Sequence, residues 1–121
     1  MKGNKLFIGG FHLISVFDCD TFTIIATIEV NSLIWKIVAI DDDHFLCGGD
    51  KILMVLSVSD FTVIVKVKTQ SDIRDIVRVN KQNEFALATY EKIKFIKIKD
   101  PVTFAIEKLP HKFESKNSRI S

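Results

Sequence analysis

Ile34-Trp35-Lys36-Ile37-Val38-Ala39-Ile40, the acidic turn Asp41-Asp42-Asp43 and then Phe45-Leu46-Cys47-Gly48-Gly49 form the stretch that decides the fold. Leu53-Met54-Val55-Leu56-Ser57-Val58 and Thr62-Val63-Ile64-Val65-Lys66-Val67 follow and complete it. Each run is rich in Val, Ile, Phe and Thr and is bounded by Asp, Asn, Gly or Lys, the composition of short β-strands joined by tight turns. No segment keeps an apolar helical period long enough to compete.

The same unit recurs in part on either side. A shift of about 39 positions lays Ile8-Gly9-Gly10 over Cys47-Gly48-Gly49 and Thr21-Phe22-Thr23-Ile24-Ile25 over Asp60-Phe61-Thr62-Val63-Ile64. It also carries Ile34, Ile37, Val38 and Ile40 onto Ile73, Ile76, Val77 and Val79. A shift of about 40 puts Phe45 on Phe85 and Asp60 on Asp100, which one added residue near Lys81 to Asn83 explains.

Four short strands recurring at this period are the signature of a β-propeller blade. Strands are predicted near 6–9, 13–18 and 23–29, then 34–40, 44–48, 52–58 and 62–68, then 73–79, 84–89, 92–98 and 103–108. The expected fold is all-β: a partial β-propeller of roughly three four-stranded antiparallel blades, the first lacking its inner strand. Blades are packed on both faces, which explains why the runs are nearly continuous in apolar residues. Closed propellers use about 4 to 8 blades, so the chain is expected to self-associate or to be part of a longer chain. The repeat segment spans 1–110, and 111–121 reads as a basic, disordered tail.

The third strands share one pattern. Ile14-Ser15-Val16-Phe17-Asp18, Leu53-Met54-Val55-Leu56-Ser57 and Ile93-Lys94-Phe95-Ile96-Lys97 all run apolar, any, apolar, apolar, polar. This resembles the Ile-x-Val-Trp-Asp segment that closes the third strand of WD-repeat propeller blades, with Phe17-Asp18 nearest to the Trp-Asp pair. Gly9-Gly10, Gly48-Gly49 and Ala88-Thr89 similarly look like the Ala-Ser-Gly-Ser step of that family. The resemblance covers roughly residues 5 to 109, with no Gly-His dipeptide and no true Trp-Asp. It implies a non-enzymatic scaffold that binds proteins and needs no cofactor, the alternative being a purely structural fragment or subunit that completes a larger propeller.

Composition narrows the partners. Lys plus Arg number 17 against 15 for Asp plus Glu, and a net charge of +2 gives no reason to expect nucleic acid or an anionic membrane. No apolar run approaches the roughly 18 residues of a spanning helix. Cys19 and Cys47 lack any metal or redox spacing and read as free thiols of a reducing, cytoplasmic setting.

Chemistry is sparse. Asp41-Asp42-Asp43-His44 is the one cluster with the look of a cation site, but consecutive side chains diverge, no EF-hand spacing is present, and the next unit has Asn80-Lys81-Gln82-Asn83 there. No metal is assigned. His12, His44 and His111 have no catalytic partner at a familiar spacing, and the glycine doublets precede no phosphate-binding helix, so they read as turn or close-packing glycines. Lys92, Lys94, Lys97 and Lys99 read as a device that makes the outward face of the last blade soluble.

The turns that share one mouth of the propeller are more informative. They carry Phe11, His12, Asn31, Asp50, Lys51, Asp72, Tyr90 and Glu91, with Trp35 and Arg74 at equivalent places just inside the inner strands. Trp, Tyr and Arg dominate binding energy at protein interfaces, so Phe11, Trp35, Asp50, Arg74 and Tyr90 are the expected partner-binding residues. Trp35 has a competing role as filler between blades.

Overall fold

The computed structural model describes residues 5–90, 92–99 and 104–109, and every helix or strand element among them is a strand. In chain order these are β1 (Lys5–Gly9), β2 (Phe11–Asp18), β3 (Thr23–Ala39), β4 (His44–Gly49), β5 (Ile52–Ser57), β6 (Thr62–Lys68), β7 (Asp75–Arg78), β8 (Glu84–Ala88), β9 (Ile93–Ile98) and β10 (Ile106–Leu109). Glu91, Asp100, His111 and the tail at 111–121 lie outside the described residues.

Strands adjacent in sequence pair antiparallel throughout, in the orders β1-β2-β3-β4-β5-β6 and β10-β9-β8-β7. Residues of β3 up to Leu33 pair with β2, and those from Ile34 pair with β4. Three blades result: β1, β2 and the first part of β3; the rest of β3 with β4 to β6; and β7 to β10. This is the expected partial propeller.

Besides shifts of a few residues at strand ends, two strands differ from the sequence reading. The strands expected at 23–29 and 34–40 are one strand, β3, because the chain changes partner without leaving extended backbone. Asn31, at φ 54°, lies within the part paired with β2, where the register shifts between Phe11 and Leu13, and Asn tolerates the left-handed region better than most residues. The inner strand of the third blade is shorter than the expected 73–79. Ile73 N–H donates to Gly49 O of one blade (2.9 Å) and Arg74 N–H to Ala88 O of the next (2.8 Å), so neither residue joins a ladder.

The core is two apolar layers, each between successive blades. The first unites Phe7, Ile14, Val16, Ile28 and Val30 with Phe45, Cys47, Ile52, Met54 and Leu56. The second unites Leu46, Leu53 and Val55 with Ile73, Ile76, Phe85, Leu87, Ile96 and Ile98. Strand β5 contributes to both: Ile52, Met54 and Leu56 point one way, Leu53 and Val55 the other, and all are buried. Two-sided burial explains its unbroken apolar run. Each fully buried side chain of this size contributes roughly 1.5–3 kcal/mol.

The glycine doublets serve close packing. A Cβ on Gly48 would stand 2.4 Å from Ile73 Cγ2, and one on Gly9 would stand 2.8 Å from Ile34 Cγ2. The start of each following inner strand therefore lies across the end of the preceding blade's second strand, where only hydrogen fits. At Gly10 the nearest heavy atom would be Leu13 O at 3.7 Å, which is ordinary contact.

Of the four lysines expected to solubilise the last blade, Lys92 and Lys99 are exposed, but Lys94 departs from that role. Lys94 lines a cleft of about 300 Å³ between the second and third blades, beside Leu53, Ile73, Leu87 and Ile96 and with Lys68 and Lys108. Burial, then the charges of Lys108 and Lys92, holds its pKa below the ordinary lysine value. Strand alternation puts Ile96 and Ile98 on that same inward side. The opposite side of β9 carries Ile93, which is exposed, so the last blade's outward face is not uniformly polar.

Candidate functional site: the mouth of the blade array

At one end of the strands the blade-to-blade connections and the turns between second and third strands are tied together by backbone hydrogen bonds. Ile34 N–H donates to Gly10 O (3.1 Å) and Ile73 N–H to Gly49 O (2.9 Å), the same bond repeated one blade later. Asp50 N–H donates to Leu33 O (2.9 Å) and Thr69 N–H to Lys51 O (3.0 Å). Short connections anchored in this way give the side chains on them fixed positions.

Trp35 and Arg74 follow directly on Ile34 and Ile73, and the structure brings them together. The Arg74 guanidinium carbon lies 4.7 Å from the Trp35 ring centroid, a cation–π arrangement. Trp35 is 43% exposed, so it is a surface ring with a blade-bridging edge and not a core filler. One residue further on, Lys36 Nζ meets Asp75 Oδ1 at 3.2 Å. The Asp75 carboxyl is held below its usual range by the Ile76 N–H that it accepts and by Lys36.

Phe11, Asp50 and Tyr90 take the same repeat position, about 39 and 40 residues apart, but where Asp50 and Tyr90 lie in turns, Phe11 opens β2 and pairs with Leu33. Phe11 is 71% and Tyr90 82% exposed, and the Phe11 ring meets His12 edge-on at 4.0 Å. Asp50 sits between them in the row and pairs with Asp72 from the next connection. Its carboxyl is held above the usual carboxylate range because Asp72 shares a hydrogen bond with it and repels its charge, while Lys51 acts in the opposite sense. Asp72 Oδ1 is buried without a hydrogen-bond partner. The mouth thus presents a stacked Trp–Arg pair, the exposed rings of Phe11 and Tyr90 and an acidic pair that favours an incoming donor.

The acidic turn lies at the opposite end of the strands. Asp41 Oδ1 accepts the Asp43 N–H (2.8 Å) and meets His44 Nδ1 (2.8 Å), while the His44 ring stacks on Phe104 with centroids 4.1 Å apart. Among the described residues no three metal-ligating groups converge.

Two contacts left no signal in the sequence. The pairing of Asp50 with Asp72 joins residues 22 positions apart in unrelated turns. Arg78, equivalent to Ala39 in the previous unit, donates across blades to Ala39 O (3.2 Å) and Ile40 O (2.5 Å) and lies 4.8 Å over Phe85. In the sequence it was an ordinary strand residue between two valines.

No protein-family profile matches the chain, and no curated protein does. Among solved structures, the chain is similar to the β-propeller domain of Cps50 (Swd1) from Myceliophteria thermophila, with a TM-score of 0.70 at 18% identity. That match covers 90% of this chain and 35% of the other, so the chain spans about a third of the length of the propeller it matches. At this identity the likeness establishes the fold, a partial β-propeller.

Proposed function

We propose that the chain is a non-enzymatic protein-interaction scaffold of WD-repeat-like blades, acting in the cytoplasm and holding a protein partner at the mouth that carries Phe11, Trp35, Asp50, Arg74 and Tyr90. The observation that carries this reading is the Trp35–Arg74 stack. A guanidinium held on an indole face, on connections tied down by backbone hydrogen bonds, is a pre-ordered anchor that loses little entropy when a partner covers it. The similarity to a propeller domain supports a scaffold, since a rigid array of blades displays loops without requiring chemistry at them. The free thiols Cys19 and Cys47 support a reducing compartment.

The test is affinity capture from cell extract with the wild-type chain, Arg74→Ala, Trp35→Ala and, as a control at the far end, Asp42→Ala. A partner band that persists with Asp42→Ala and is lost with Arg74→Ala and Trp35→Ala supports the mouth. Identical recoveries from all four chains sink it.

A further inference from the structure

One repeat position is filled in opposite ways at the two junctions between blades. Met54, in the third strand of the second blade, faces the first blade and is fully buried in the first core layer. Its equivalent in the third blade is Lys94, which faces the second blade from β9 and pairs in register with Leu87 of β8. Where the first junction is sealed by a thioether, the second holds an amine and the cleft of about 300 Å³.

Protection of sheet edges accounts for Lys68 and Lys108, which are exposed on the outer strands β6 and β10. It does not account for Lys94, which is half-buried on the strand inside β10. A lysine stem can lie along apolar surface while its head stays in water. Here burial is the first cause that holds the Lys94 pKa below the ordinary lysine value, and the charge of Lys108 is the second. The head is therefore neither fully hydrated nor neutralised. Among the described residues no carboxylate pairs with Lys68, Lys94 or Lys108.

The walls between these amines are aliphatic. Leu53, Ile73, Leu87 and Ile96 are each no more than 4% exposed, and Val67 is 37% exposed where the cleft reaches the outer strands. An apolar trough bordered by three unpaired amines fits a chain segment that carries an aliphatic side chain between carboxylates. The carboxylates would give the ammonium groups the charged acceptors that they lack, and the aliphatic group would cover Val67. Nucleic acid fits less well, because no lining residue is an aromatic platform for a base or a guanidinium that forks onto phosphate.

We propose that the cleft between the second and third blades is a docking site for an acidic, aliphatic segment of a protein partner, with Lys94 as its central anchor and Lys68 and Lys108 at its sides. The cleft shares no lining residue with the five placed at the mouth and does not depend on the reading given to them. A junction that only had to pack would be better served by Met, as position 54 shows. Lysine at 94 leaves the junction open and charged, the two properties that an acidic segment requires.

A random peptide library panned against the full chain, as wild type and as Lys94→Met, tests the proposal. Sequences that set Asp or Glu beside Leu, Ile or Val should be enriched on the wild type and lost on the variant. For the most enriched peptide, Lys94→Met and Lys94→Gln should each raise Kd about tenfold or more, and Lys68→Gln and Lys108→Gln a few-fold, with affinity falling as salt rises. Lys94→Met should hold or raise Tm, because it removes an ammonium that burial disfavours, and Lys94→Gln keeps the affinity test open if Met disturbs the junction. Arg74→Ala should leave Kd unchanged, so that this site and the mouth fail separately. Absence of acidic aliphatic sequences from the enriched pool, enrichment or affinity that survives both Lys94 variants, or tighter Lys94-dependent binding of a single-stranded oligonucleotide overturns it.

Discussion

Replacing Gly48 with Ala places a methyl group 2.4 Å from Ile73 Cγ2, 2.8 Å from Ile73 Cβ and 3.1 Å from Ile76 Cδ1. The atoms it meets belong to branched side chains that are themselves 1% exposed, so they have nowhere to retreat. Overpacking of this kind costs about 1–3 kcal/mol. For a domain of this size that is a fall in Tm of about 4 °C per kcal/mol, hence roughly 4–12 °C. Gly10→Ala is the matched control: its Cβ meets nothing closer than 3.7 Å, and loss of unfolded-state freedom should stabilise the chain by about 0.4–1 kcal/mol. Urea unfolding at a common m-value separates the two. The mechanism also requires coupling, since Ile73→Ala removes Cγ2, the nearest of the atoms that Gly48→Ala strikes, and leaves Cβ a smaller, more yielding obstacle. The double variant should be more stable than the sum of the singles predicts, by about 0.5–3 kcal/mol. Equal stabilities for Ala at 10 and at 48, or strict additivity with Ile73→Ala, would refute the packing account of these glycines.

Ile76→Asp should unfold the chain at room temperature, because an unpaired carboxylate at a site 1% exposed costs several kcal/mol, comparable with the whole stability of a domain; Asp42→Ala, in an exposed turn, should shift stability by less than about 0.5 kcal/mol, both read by circular dichroism. Asp72→Asn should raise Tm at neutral pH. The folded-state pKa of Asp50 lies above its unfolded value, so the native state binds the extra proton and loses stability as pH rises through that window. The gain from Asp72→Asn should accordingly vanish once pH falls below about 4, where Asp50 is protonated in both states, and a gain independent of pH would contradict the shared-proton reading. Cys47 is fully buried and burial pushes its thiol pKa up, whereas Cys19 is exposed; a thiol reagent should label one cysteine in the native chain and two in denaturant, and native labelling of both would contradict the first core layer.

The strand content, the three-unit repeat and the blade architecture were legible in the sequence because each rests on a periodic signal. Two-sided burial writes continuous apolar runs such as Leu53-Met54-Val55-Leu56, and turns write Asp, Asn and Gly between them. Repetition also located the mouth, since equivalent positions share equivalent turns, and it placed Trp35 and Arg74 at one such position. Only the tertiary structure decided what those residues touch. Whether Trp35 fills the core or stacks under Arg74 depends on the angle between neighbouring blades, and local sequence does not encode that angle. The fusion of two expected strands into β3 turned on an exchange of partner strand between Leu33 and Ile34, and the inward turn of Lys94 on which side of β9 faces the second blade. The reach of Arg78 to the carbonyls of Ala39, its equivalent one repeat earlier, and Ile40 is a contact that repeat spacing alone does not announce, and the meeting of Asp50 with Asp72 joins residues whose separation matches neither strand pairing nor the repeat. Periodicity fixes which residues are equivalent; the packing of one blade on the next fixes which are neighbours, and the chemistry of the mouth belongs to the neighbours.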